Sequence, residues 1–426
     1  MSIDESTKKR VFSNIDRDEM IQLTMDLTDI ESPTGKEREI ANYILNWFEE
    51  NGIYPIKQVI ETDRFNAVGM LRGPGSGPSL TLNGHIDTVF QDPRKIIEKS
   101  YVKGSAIYGN EIANMRNGLA SILTTAKAIK KAGVQLKGDL IVAAVAGEIC
   151  TGTVDQFQGP QDRGCGFGTW HLLSHGIQSD YAIVTDGSDF TIVRVQSGAS
   201  FFKITTEGAA LYTPLTKRTQ SSKESQNSVV KMAAVIDILE NWAREYEQKN
   251  VYKISDDQFE PMVAICAIQG GMPLTTEEGW RGPFRPSITP PNCELYLDVR
   301  LNPDTPPLKV KHELEGLLGR LPFKCELEMF RSQKGYEGKG PEVDYLYSVV
   351  EKSYENVFKS KPPQPQPHNY GLWTDTNLYW ELGIPAVKWG PSEKNQYPGR
   401  RAVEIEGLIN AAKTYSLIAL EVCGVT

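Results

Sequence analysis

The chain has few of the features that commit a sequence to an oxidising compartment, a membrane or a nucleic acid. Its 426 residues include six cysteines (Cys150, Cys165, Cys266, Cys293, Cys325 and Cys423), none in CxxC spacing, which argues against a disulfide framework and a structural zinc knot. Buried free thiols are expected. No apolar run approaches the ~18 residues of a membrane span, and the opening Met1-Ser2-Ile3-Asp4-Glu5 has no apolar signal region, so a cytoplasmic protein is expected. No lysine and arginine cluster is long enough to form an electrostatic footprint and the formal net charge is −8, which discounts nucleic acid and anionic lipid as partners. Histidine is scarce. Five in all leave little room for a second complete metal site.

What remains is the composition of an ordinary globular protein, 40% hydrophobic and 23% charged, on a chain long enough for two domains. Residues 17–30 and 36–51 read as amphipathic helices, the second with Ile40, Ile44, Leu45 and Phe48 at helical spacing and Gly52 as its stop. Short apolar runs predict strands at Ala67–Leu71, Leu80–Leu82, Leu140–Ala146 and Tyr181–Thr185, with a helix from Met115 to Ala132 between the second and third. Alternating strands and helices imply an α/β domain, in which polar groups just past strand ends are the usual place for a site. From about Ser200 the texture changes to alternating strands (Phe201–Thr206, Glu294–Leu301) around a long helix, Ser228–Tyr246. An α+β insert at 199–332 is expected, splitting the first domain into 1–198 and 333–426. The first style returns in Val343–Phe358 and Ala386–Trp389. The glycines of Gly73-Pro74-Gly75-Ser76-Gly77 open no helix and predict a hairpin loop, and Lys361–His368 (KPPQPQPH) predicts a stiff surface connection.

Several of these strands lead into residues that can do chemistry. Asn83-Gly84-His85-Ile86-Asp87 puts His85 and Asp87 on one side of an extended segment, where an imidazole can bind a metal and a carboxylate can orient it. Further along come Asn114 in Gly109–Gly118, Glu148 in Ala146-Gly147-Glu148-Ile149-Cys150, Asp186 in Thr185-Asp186-Gly187, and Trp373-Thr374-Asp375-Thr376, followed by Gly383-Ile384-Pro385 and Gly390-Pro391. His171 and His175 have metal-chelating spacing but lack the Glu of H-E-x-x-H, and predict helix-surface histidines.

Together these motifs resemble the aminoacylase/carboxypeptidase family of zinc exopeptidases over nearly the whole chain. The resemblance implies a mixed-sheet catalytic domain with an inserted lid and dimerisation domain, and a homo-oligomer built from dimers. It implies that His85 and Asp186 bind metal, that Asp87 orients His85, and that Glu148 is one of a Glu pair supplying a base and a ligand. Four positions depart from the pattern. Asn114 stands for a bridging Asp, Gly147 for the second Glu, Tyr212 for the insert's active-site His, and a residue near Gln396 or Tyr397 for a late His.

Charge counting turns these departures into an expectation. Two divalent ions about 3.5–4 Å apart repel by roughly 18 kcal/mol at an effective dielectric of about 20, and a neutral Asn114 cannot offset that. One divalent ion per chain, manganese or zinc, is expected on His85, Asp186 and the Asn114 carbonyl oxygen, with Glu148 as general base toward a metal-activated water. Tyr212 can donate a hydrogen bond to charge on the substrate, Tyr370 and Trp373 can stack on a planar ring, and Asn227 matches an Asn of the family's insert. The family acts on C–N bonds of small carboxylate-bearing molecules. Three readings stay open: an aminohydrolase (deaminase) of an activated aromatic amine such as 5-nitroanthranilate, an amidohydrolase or peptidase, and a non-catalytic ligand-binding relative.

Overall fold

The computed structural model describes residues 3–89, 98–150, 163–217, 224–254, 257–271, 287–391 and 401–426. These form two compact units. The first comprises Met1–Arg194, Gly338–Pro365 and Thr374–Thr426, the second Val195–Glu337 and Gln366–Trp373.

The first unit is built on a six-stranded mixed sheet in the order Tyr54–Glu61, Arg64–Leu71, Leu140–Val145, Leu80–His85, Tyr181–Val184, Ala386–Lys388. The last four strands are parallel to one another; Arg64–Leu71 joins antiparallel to Leu140–Val145, and Tyr54–Glu61 antiparallel to Arg64–Leu71. Strands buried on both faces read as continuous apolar runs, which is why the sequence exposes them. Ala67, Val142 and Ala144 face one core with Leu119, Leu123 and Ile418, while Val68, Met70, Ile141, Ala143 and Val145 face another closed by Leu172. The glycine-rich stretch after Leu71 is no hairpin. The next strand, Leu80–His85, lies beyond Leu140–Val145, so this connection crosses the sheet edge, and Gly73 donates its N–H to Asp139 there.

Helix Asn117–Lys131 approaches the sheet closely because glycines line the contact. A Cβ at Gly84 would meet Met115 Cε at 2.9 Å, and one at Gly118 would lie 2.3 Å from the Thr185 carbonyl oxygen. Register then aligns the strand ends. His85 pairs with Val145, Asn83 with Val184 and Lys388 with Val184, so the segments leading to Glu148 and Asp186 emerge at one edge beside His85.

The second unit is a four-stranded antiparallel sheet, Val263–Gly271, Asn292–Leu301, Gly198–Glu207, Cys325–Gln333, with helices Ser228–Lys249 and Pro307–Leu318. Alternate residues Cys293, Leu295, Leu297, Val299 and Leu301 join Met232, Val235, Leu239, Val310 and Leu314 in its core. No disulfide joins any of the six cysteines. Among the described residues, no helix is long and apolar enough to cross a membrane.

Candidate active site

His85 ends its strand fully buried, and its two ring nitrogens have different neighbours. Nδ1 lies 3.0 Å from the backbone oxygen of Asp87 and 3.4 Å from Asp87 Oδ1, which holds the ring's orientation. Nε2 lies 3.1 Å from Asn114 Oδ1 and 3.9 Å from Glu148 Oε2. A ring tied at Nδ1 turns Nε2 toward a point shared with an amide oxygen and a carboxylate. Among the described residues no three His, Cys, Asp or Glu side chains form a metal cage. A nitrogen, a neutral oxygen and one carboxylate fit a single hard or borderline divalent ion with open positions.

Asp87 is buried and saturated. Its Oδ1 accepts from the Glu148 N–H at 2.9 Å; its Oδ2 accepts from the Ile149 N–H at 3.0 Å and the Thr34 hydroxyl at 2.8 Å. Burial raises this carboxyl, but the contacts with His85, the Glu148 N–H and Thr34 outweigh it and hold it below the usual range. One carboxylate thereby positions both the imidazole and the loop that carries Glu148. Asn114 is placed by its neighbour Arg116, whose buried guanidinium donates to the Ile86 carbonyl at 2.7 Å and to the Ser32 hydroxyl.

The charge balance pushes the remaining groups in opposite directions. Burial lowers His85, yet Glu148, Asp87 and Asp186 together push it up to about 10. Burial lifts Glu148 well above the ordinary range, His85 opposes this, and Asp375, Asp186 and Asp87 reinforce it. Asp375, buried next to the Thr169 hydroxyl that donates to it at 2.8 Å, is pushed up to about 7, chiefly by burial. Asp186 has two partners of its own: its Oδ2 is 2.9 Å from the Lys388 ammonium and its Oδ1 accepts from the Gly187 N–H at 2.8 Å.

Gly147 is more than a missing carboxylate. Its φ is +69°, and an added Cβ would lie 2.7 Å from the Arg163 carbonyl oxygen and 2.8 Å from Arg64 Nη2. A glutamate therefore cannot be restored there without moving the loop that carries Glu148.

Of the residues singled out in the sequence, His85, Asp87, Asn114 and Glu148 come together, with Asp186 paired to Lys388. Tyr212, Asn227, Tyr370 and Trp373 belong to the second unit. Tyr212 is half exposed at the start of a short helical turn, Thr213–Leu215. Asn227, a candidate substrate-binding residue by the family resemblance, caps a helix. Its side-chain oxygen accepts the Val229 and Val230 N–H groups at 3.0 and 3.4 Å, capping helix Ser228–Lys249. Asn227→Ala should accordingly lower stability by about 0.5–2 kcal/mol in urea unfolding and leave kcat unchanged. Tyr370 is buried and packs near the Phe259 ring, 6.4 Å between centroids; Trp373 is also buried. His171 and His175 stack on one another at 3.8 Å at the end of a surface helix. Gln396 and Tyr397 lie outside the described residues.

Sequence reasoning missed Lys388, Arg116 and the role of Asp375. A lysine inside the apolar run Ala386-Val387-Lys388-Trp389 was the available signal.

Residues 81–421 match peptidase family M20/M25/M40. The chain belongs to that family. It is 25% identical to N-formyl-4-amino-5-aminomethyl-2-methylpyrimidine deformylase of Bacillus subtilis, over 93% of each chain. With the deformylase of the same name from Halalkalibacterium halodurans it shares 23% identity over 98% of each. In fold it is similar to aminopeptidase PepT from Bacillus cereus, with TM-score 0.68 and 16% identity over 96% of this chain and 99% of that one. It is similar also to the di-peptidase Dug1p from Saccharomyces cerevisiae, with TM-score 0.71 and 12% identity over 97% and 98%. The M20 protein is thus a metal-dependent hydrolase of C–N bonds with an α/β catalytic unit and a separate antiparallel sheet.

Proposed function

We propose that this M20 enzyme hydrolyses an amide bond in a small carboxylate-bearing substrate, as a deacylase, with one divalent ion of manganese or zinc. The supporting observation is the placing of Asn114 Oδ1 at 3.1 Å and Glu148 Oε2 at 3.9 Å from His85 Nε2. His85 and Asn114, with Asp186, are the residues that would hold the ion, which when bound supplies Lewis acidity. Asp87 keeps the His85 ring turned inward. Glu148 takes a proton from water and returns it to the departing nitrogen. Tyr212 donates a hydrogen bond to charge building on the substrate, in a homo-oligomer assembled from dimers. The deformylase relatives act, by their names, on an N-formyl group, which favours the amide reading.

A second reading is hydrolytic removal of an amino group from an electron-poor ring such as 5-nitroanthranilate. Asn114 and Gly147 favour it, since they leave the pocket short of two carboxylates of the family pattern.

The protein loaded with manganese or zinc, offered N-formyl and N-acyl aromatic acids and 5-nitroanthranilate, separates the two. Release of formate or another carboxylate supports the first reading; release of ammonia from the ring supports the second, and cleavage of neither class rejects both. Metal analysis of the saturated protein should find one equivalent per chain, removed by dialysis against a mild chelator. Two tightly held equivalents would contradict the mononuclear site.

A further inference from the structure

We propose that Thr34 is a positioning residue of the metal site, whose hydroxyl fixes the Asp87 carboxylate and, through it, the ring of His85. The inference rests on the metal site of the preceding reading. The Asp87 side chain takes donors on both oxygens. Oδ1 accepts from the Glu148 N–H at 2.9 Å and lies 3.4 Å from His85 Nδ1; Oδ2 accepts from the Ile149 N–H at 3.0 Å and the Thr34 hydroxyl at 2.8 Å. The two N–H donors belong to the loop that carries Glu148. Thr34 belongs instead to a turn joined to the end of the His85 strand: its own N–H donates to the Thr88 carbonyl at 3.2 Å, the Thr88 N–H to the Ser32 carbonyl at 2.9 Å, and the Ser32 hydroxyl to the Ile86 carbonyl at 2.8 Å. The far end of the turn is anchored by the wholly buried Glu37, which accepts the Gly35 N–H at 3.0 Å and two bonds from Arg64.

The consequence is geometric. The terminal torsion of an aspartate is broad, so the plane of its carboxylate is set by the bonds it makes and not by the rotamer. Without the Thr34 hydroxyl, Asp87 would keep only the N–H groups of the Glu148 loop, and the imidazole would follow that loop. With it, the carboxylate is also referenced to the segment that carries His85 and Asp87. A ring held at Nδ1 in this way keeps Nε2 turned toward Asn114 Oδ1 and Glu148 Oε2, and bonds that orient a ligating imidazole are felt as metal affinity. Valine at position 34 would keep the branched shape and lose the donor, whereas serine would keep the donor and lose the methyl group.

Manganese titration of the metal-free, full-length protein tests this, with the unbound ion read by electron paramagnetic resonance and the fold of each variant checked by circular dichroism. Thr34→Val should bind manganese about 10-fold more weakly than wild type, within the range for partners that orient a ligating His, and Thr34→Ser should bind as wild type does. Wild-type affinity in folded Thr34→Val overturns the proposal. So does a Thr34→Ser variant weakened as much as Thr34→Val, since the effect would then follow the shape of the side chain and not its hydroxyl. If Thr34→Val does not fold, Thr34→Ala is read the same way, and the serine variant stays decisive. Wild type that binds neither manganese nor zinc rejects the ligand set itself, an outcome distinct from failure of the role given to Thr34.

Discussion

Glu148→Gln should lower kcat by roughly 10²- to 10⁴-fold, the range for loss of a general base, while bound metal stays near the wild-type level. Gln is nearly isosteric, and the bond that organises the loop comes from the Glu148 backbone N–H to Asp87, which the substitution leaves in place. Burial holds the Glu148 carboxyl well above its ordinary range, against the pull of His85. His85→Ala is the contrasting case. It removes the nitrogen at the centre of the donor set, so metal and activity should disappear together. Steady-state kinetics with metal analysis on both variants reads the difference, and loss of metal in Glu148→Gln would reassign Glu148 as a ligand.

Arg64→Ala should cost about 3–5 kcal/mol of folding free energy, the range for breaking a buried ion pair by removing one partner. The Arg64 guanidinium is 1% exposed and Glu37 is 0% exposed. They meet through two bonds, Nε to Oε2 at 2.9 Å and Nη2 to Oε1 at 2.7 Å, and Nη2 also donates to the Arg163 carbonyl at 2.8 Å. The truncated variant leaves the buried Glu37 carboxylate without its guanidinium, with the Gly35 N–H at 3.0 Å still donating to it. Removing both charges, as Glu37→Gln with Arg64→Met, should be milder because no uncompensated ion is left. Urea unfolding of the single and double variants measures this. A loss below about 1 kcal/mol in Arg64→Ala would mean that the pair behaves like a surface one. Because Arg163 and Gly147 flank the guanidinium, activity should fall in the single variant even where the fold survives.

The sequence by itself determined the elements whose burial is periodic or complete. Strands buried on both faces, such as Leu140–Val145, must be apolar throughout, and helices such as Arg38–Glu50 must repeat their apolar residues every turn. It likewise offered His85, Asp87 and Glu148 as candidates, because each follows a strand that its own apolar pattern reveals, while Asn114 was marked only by the resemblance to the family. Other features were legible only in part. Helix Ile405–Cys423 is buried nearly all round, and helix Glu5–Phe12 is short, so neither carries a clear amphipathic stripe. Tertiary structure alone decided which polar groups meet. The crossing of Leu80–His85 past Leu140–Val145 depends on long-range pairing, and that pairing brings His85, Glu148 and Asp186 to one edge. Asn227 caps a helix because its side-chain oxygen satisfies N–H groups that the backbone presents to it. Lys388 met Asp186 for the same kind of reason. A charge buried in an apolar strand must find its counter-ion in space, and strand register, which no local pattern encodes, set which carboxylate that is.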